Sequence, residues 1–154
     1  MFSSSFAGIF FFKERNVLPG LGHSNELISR DENLHCLFGA TIYKNHVVNK
    51  LTREELLKII TGAVECECAF VDDCLQKPLS GMNSSSMKKY VKFVADSLLG
   101  MLGEPSHFNV SNPFPFMVKQ AIEAGQGRTN FFERKTSEYA KLGGEVAFAT
   151  DEDF

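Results

Sequence analysis

Glu32 and His35 are the residues whose types and spacing best suit metal chemistry. They stand three apart in Ser29-Arg30-Asp31-Glu32-Asn33-Leu34-His35, so at about 3.6 residues per helical turn they project as neighbours on one side. Ile28, four positions before Glu32, and Ile42 continue that stripe. The pattern predicts a carboxylate and an imidazole aimed inward, where a charge is costly to bury unless it is paired or bound to a metal. A Glu-x-x-His pair is also the repeating half of a di-iron carboxylate site in helical bundles. By spacing alone, the plainer reading is a partly exposed Glu and His hydrogen-bonded along a helix.

Two other groupings look similar and carry no such role. Glu104-Pro105-Ser106-His107 repeats the spacing, but Gly103 and Pro105 place it at a helix end, where the side chains need not share a face. Cys66 and Cys68 are two apart, about 200° around a helix, and cannot both grip one ion. With Cys74 they read as packing or surface thiols.

The elements that must position Glu32 and His35 are helical nearly throughout, because apolar residues recur at three and four. A first helix is expected from the start to about Arg15, through Phe2, Phe6, Ile9 and Phe10, with Leu18-Pro19-Gly20 breaking it. An apolar helix opening the chain without a cap suggests that Met1 marks a truncation, an internal start or a split subunit. The second helix is expected from near Ser24 to His46. The third begins at the capping box Thr52-x-x-Glu55 and continues through Phe70. A fourth is expected from about Ser84 to Leu102, ended by Gly103-Glu104-Pro105. Asn112-Pro113-Phe114-Pro115 is a connector, followed by short helices over Phe116 to Ile122 and Phe131 to Leu142 and a small, acidic end. Long helices joined by short breaks predict an all-α bundle.

Composition narrows the class without naming it. A chain of 154 residues with 44% hydrophobic content suits one packed domain. Its 16 basic residues are outnumbered by 19 acidic ones, which argues against a nucleic-acid partner. The apolar run Phe6 to Phe12 is far short of the roughly 20 residues that span a membrane, so no membrane association is expected. Cys36, Cys66, Cys68 and Cys74 accompany neither a secretory signal nor a disulfide framework, which favours a reducing compartment, the cytoplasm.

The segment from Ser24 to Cys36, Ser-Asn-Glu-Leu-Ile-Ser-Arg-Asp-Glu-Asn-Leu-His-Cys, closely resembles the signature of the class I ribonucleotide reductase small subunit around its last two iron ligands. Phe2-Ser3-Ser4-Ser5-Phe6-Ala7, Leu18-Pro19-Gly20-Leu21, Gly81-Met82-Asn83, Asn112-Pro113-Phe114, Thr129-Asn130-Phe131-Phe132-Glu133 and the Asp-rich end at Phe154 extend the likeness over essentially the whole chain. The resemblance is to the C-terminal half of that subunit. It implies a partial ferritin-like helical bundle over 1–141 and a flexible tail over 142–154.

By that resemblance, Glu32 and His35 would be ligands to one iron of a di-iron centre, and Asp31 would hydrogen-bond within the radical-transfer route. A carboxylate beside a ligating His can fix its tautomer. Phe2, Phe6 and Ile28 match the apolar pocket shielding the family's tyrosyl radical; on pattern alone they are core residues. Tyr139 matches the tyrosine that relays the radical to the large subunit, where the plain reading is a surface tyrosine. Phe148, Asp151, Glu152, Asp153 and Phe154 resemble the tail that docks on the large subunit. Two Phe anchors around an acidic stretch suit an apolar groove with a basic rim.

The family's centre needs six protein ligands, and this chain carries two of them by the match. Two ligands leave a metal underdetermined. Ser4 also stands where the family commonly has Gly, a matter of local helix packing. Two functions are therefore expected: the radical-generating small-subunit part of ribonucleoside-diphosphate reductase, inactive alone, with the large subunit and a small-subunit dimer or complementing chain as partners; or a non-catalytic module that binds the large subunit or an intact small subunit.

Overall fold

The structure, a computed structural model, describes residues 4–117. Four helices account for most of that span: α1 (Ser4–Glu14), α2 (Pro19–His46), α3 (Arg53–Cys74) and α4 (Ser84–Leu102). α1 packs on α2 and α3 packs on α4, while α4 also touches α2 and α1. Leu79 and Met82 pair backbone to backbone in the tight turn between α3 and α4. Helical residues follow again at 115–117. The expected helix over Phe116 to Ile122 begins within these residues; its remainder, the helix over Phe131 to Leu142 and the acidic end lie outside the described residues, as do Phe2, Tyr139, Phe148, Asp151, Glu152, Asp153 and Phe154.

α4 organises the core because its apolar residues fall on one stripe. Met87, Tyr90, Val91, Val94, Ala95 and Leu99 recur at three and four and are all buried. Against them pack Leu56, Ile60, Val64 and Val71 of α3 and Ala7, Phe10 and Phe11 of α1. The apolar run at the start of the chain is thus a core helix, as its length predicts. Phe114 and Met117 close the cluster.

The helix ends are set by local chemistry. Thr52 and Glu55 form both arms of the expected capping box. Asn83 caps α4 by accepting from the Ser86 N–H at 2.8 Å, and Gly103 ends the helix at φ 88, a left-handed conformation that glycine adopts without penalty. α2 begins earlier than the residue pattern suggests. Leu18-Pro19-Gly20 does not separate the helices, because Pro19 is itself the first helical residue, where its fixed φ is already helical and its missing N–H would have no partner. The break falls at 15–18, where Asn16 and Leu18 adopt positive φ of 54 and 52.

The segment after α4 is tied back by Asp96. Its carboxylate accepts from the backbone N–H groups of His107, Phe108 and Asn109 at 2.8, 2.9 and 2.7 Å. Desolvation raises the Asp96 pKa, but the backbone donors outweigh it, so the carboxyl titrates below its ordinary value of 3.8. Because the folded-state pKa is depressed, the stabilisation is present above that ordinary value and is lost as pH falls through it toward the folded value. Urea unfolding of the parent chain and Asp96→Asn at pH 6 and pH 3 should show a parent advantage at pH 6 that shrinks at pH 3. An advantage independent of pH would contradict the assignment.

Candidate functional site

α2 is long enough, at 28 residues, to present two unlike sides. One side carries Gly22, Asn25, Glu26, Ser29 and Ala40, all buried. Gly22 lets α1 approach closely: a Cβ at that position would come within 3.1 Å of Lys13 Cβ. The carboxylate of Glu26 accepts from Lys13 Nζ at 2.7 Å and from Arg30 Nη2 at 2.8 Å, which locks the register of α1 on α2.

The other side carries the chemistry. The Glu32 and His35 side chains are neighbours, with Oε2 3.7 Å from Nδ1, and are 54% and 72% exposed. The shared face predicted from their spacing is therefore present. Their predicted inward orientation is not: α1 and α4 pack on α2 along an adjoining face that carries Gly22, Ser29 and Ala40, and both side chains of the pair stay exposed. Leu21, Ile28 and Ile42 are exposed on the same stripe as the pair, and Phe38 is exposed on its flank. Ile28 is 50% exposed, so nothing among the described residues closes an apolar pocket over it. Phe6 instead packs against the main core. Asp31 is exposed one position before Glu32.

The donors that the family resemblance would give to iron fit that group only in part. Glu and His are suitable ligands and share a face, but no group of three or more His, Cys, Asp or Glu residues converges among the described residues. Two surface donors do not enclose a di-iron centre. The other groupings behave as their spacing implies. Glu104 follows the end of α4 and pairs with Arg53 at 2.8 Å. The four cysteines are free, with Cys36 Sγ lying 3.9 Å from Met101 Sδ.

The ion pairs centred on Glu26 and the Asp96 tie escape a reading of motifs. Glu26 and Arg30 are four apart, the spacing of an ordinary helical ion pair, but neither Lys13 nor the backbone of 107–109 is signalled by a local pattern. Ser4 supplies a further contact of this kind: its backbone N–H and hydroxyl both donate to Glu67 Oε2, at 3.1 and 2.7 Å. The serine at this position therefore ties the start of α1 to α3.

Residues 1–113 match the family model "Ribonucleotide reductase, small chain". The chain is 48% identical over 159 residues to the ribonucleoside-diphosphate reductase small chain of Trypanosoma brucei brucei, covering 99% of this chain and 46% of that one. It is 50% identical over 142 residues to ribonucleoside-diphosphate reductase subunit M2 of Danio rerio, covering 92% and 36%. Among solved structures, the Rnr4 homodimer of the ribonucleotide reductase from Saccharomyces cerevisiae aligns with a TM-score of 0.63 and 31% identity, over 88% of this chain and 39% of that one. The chain thus spans less than half the length of the relatives it matches. The helices share the ferritin-like arrangement of that neighbour, and with the family match over 1–113 they establish that this chain belongs to the ribonucleotide reductase small-chain family.

Proposed function

We propose that this chain is a portion of a class I ribonucleoside-diphosphate reductase small subunit, serving reduction of ribonucleotides to deoxyribonucleotides for DNA synthesis. The observation carrying this reading is the placement of Glu32 and His35 side by side on an exposed, largely apolar face in a chain of this family. In this role Glu32 and His35 hold one iron, while Asp31 and Tyr139 belong to the radical-transfer route. Phe2, Phe6 and Ile28 border the radical pocket. The metal, when bound, would supply the oxidising chemistry; this chain would contribute two of its donors, Glu32 and His35.

The helical part, 1–141, pairs with another small-subunit chain, a reading supported by the homodimeric state of the yeast neighbour. The tail over 142–154, with Phe148, Asp151, Glu152, Asp153 and Phe154, docks on the large subunit. The cytoplasm is the proposed location, and among the described residues no helix is long and apolar enough to cross a membrane.

Iron loading tests the proposal. The purified chain should take up a di-iron centre when mixed with a polypeptide that supplies the carboxylates and imidazole the described residues lack, and should take up less than one iron per chain without it. Failure to form the pair in the mixture would favour a non-catalytic module that binds the large subunit or an intact small subunit.

A further inference from the structure

Leu18 is the strained residue of the corner between α1 and α2. Its φ of 52 and ψ of 61 are left-handed, a region where the Cβ of an L-residue crowds the following carbonyl and which glycine or asparagine enters at little cost. Asn16, at φ 54, is of the tolerant kind; leucine is not. Leu18 also precedes Pro19, whose ring pushes the residue before it toward extended backbone. Two local preferences therefore oppose the conformation that Leu18 holds. Its side chain offers little in return, being 56% exposed and making no capping hydrogen bond to α2.

Contacts on either side keep the corner closed. The Val17 N–H donates back to Phe12 O at 3.0 Å and the Gly22 N–H to Leu18 O at 3.1 Å, while Lys13 reaches across to Glu26 and passes close to Gly22. Further along α1, Ala7, Phe10 and Phe11 are buried in one cluster with residues of α3 and α4. α1 cannot leave that bed for water without exposing these apolar side chains. A second copy of the chain offers an identical bed, so every contact of α1 with the other helices can be made between two copies instead of within one. The exchange alters only the corner. To cross to the second copy the chain must extend through 15–18, and extended backbone is what Leu18 prefers ahead of Pro19.

We propose that the α1–α2 corner is a strained hinge, and that its extension at Leu18 lets two copies of this chain exchange α1. A short connector under strain favours such exchange because the strain is present only in the closed form. The pair of Lys13 with Glu26 exists in both forms, within one chain when closed and between chains when exchanged. It therefore leaves the balance unchanged, but it must break on the way and so sets the rate. The proposal does not rest on the reductase reading, since it turns on a backbone conformation in which neither Glu32 nor His35 takes part.

The test is sedimentation velocity on the full chain, concentrated and then diluted, with variants at the hinge and at the ion pair. The expected result is a dimer that forms on concentration and reverts slowly on dilution. Leu18→Gly relaxes the closed corner and should raise the dimer dissociation constant by about tenfold, roughly threefold from each of two corners. Leu18→Pro cannot take positive φ and should be dimeric at every concentration; Leu18→Gly carries the test where the proline variant fails to fold. Glu26→Gln should speed reversion without changing the equilibrium fraction of dimer. Lys13→Glu and Glu26→Lys each place like charges together in the closed form. Mixed, these two variants regain opposite charges in both pairs only by exchanging α1, so the mixture should form a heterodimer that melts above either variant alone. The proposal is overturned by a dimer whose dissociation constant Leu18→Gly leaves unchanged, or by a charge-reversed mixture that stays monomeric and melts as its two components do.

Discussion

Replacing Phe114 with alanine is expected to destabilise the chain by about 3–5 kcal/mol, the range for truncating a buried aromatic side chain. Phe114 is 2% exposed and joins two parts of the core. Its ring lies 5.6 Å from that of Tyr90 in α4 and 5.2 Å from that of Phe116, on which it stacks. Phe116 in turn meets Phe11 of α1 edge to face at 6.3 Å. Removing the ring therefore leaves a cavity and strips partners from two aromatic neighbours, each contact worth roughly 0.5–1.5 kcal/mol beyond area burial. Because the backbone of this segment is tied at Phe114 N, which donates to Asn112 Oδ1 at 2.9 Å, the surroundings cannot freely collapse into the space. Urea unfolding followed by circular dichroism measures the loss, and Phe114→Leu should recover more than half of it. A loss under about 1 kcal/mol for the alanine variant, the size expected away from such features, would show that Phe114 is not a core keystone.

Phe114 also shows which features the sequence makes legible. The Asn112-Pro113-Phe114-Pro115 stretch reads as a connector, and it is one, but a connector's aromatic residue gives no periodicity from which to infer burial. The α4 stripe, the capping box at Thr52 and the stop at Gly103 were readable because each is local: its cause lies within one or two helical turns. The shared face of Glu32 and His35 was readable for the same reason. What their spacing could not provide is what lies over that face, since burial depends on partners distant in sequence. Glu32 and His35 consequently share the predicted stripe but stand in solvent among the described residues. The misplaced start of α2 has another origin. Proline and glycine together read as a break, whereas Pro19 is compatible with a first helical turn, and the turn itself is made by Asn16, a type that tolerates positive φ, and Leu18, which carries no such signal.

The ionic lock between α1 and α2 should give the second large effect: Glu26→Gln is expected to cost about 2–3 kcal/mol. Glu26 keeps only 10% of its side chain exposed, against 21% for Lys13 and 31% for Arg30. Breaking a buried pair by neutralising one partner typically costs about 3–5 kcal/mol, because the remaining charge is left uncompensated. Here the two cations retain partial access to water, which places the expected loss below that range. The isosteric amide preserves volume and can still accept from one cation, so the loss reports mainly on charge. Lys13→Met should cost less, since Arg30 continues to satisfy Glu26 from the next turn of α2. A double-mutant cycle of Glu26→Gln with Lys13→Met separates the pair from the rest: a coupling above about 0.5 kcal/mol is expected for residues in one network. Strict additivity would mean that α1 is held on α2 by its apolar contacts and the close approach at Gly22 alone.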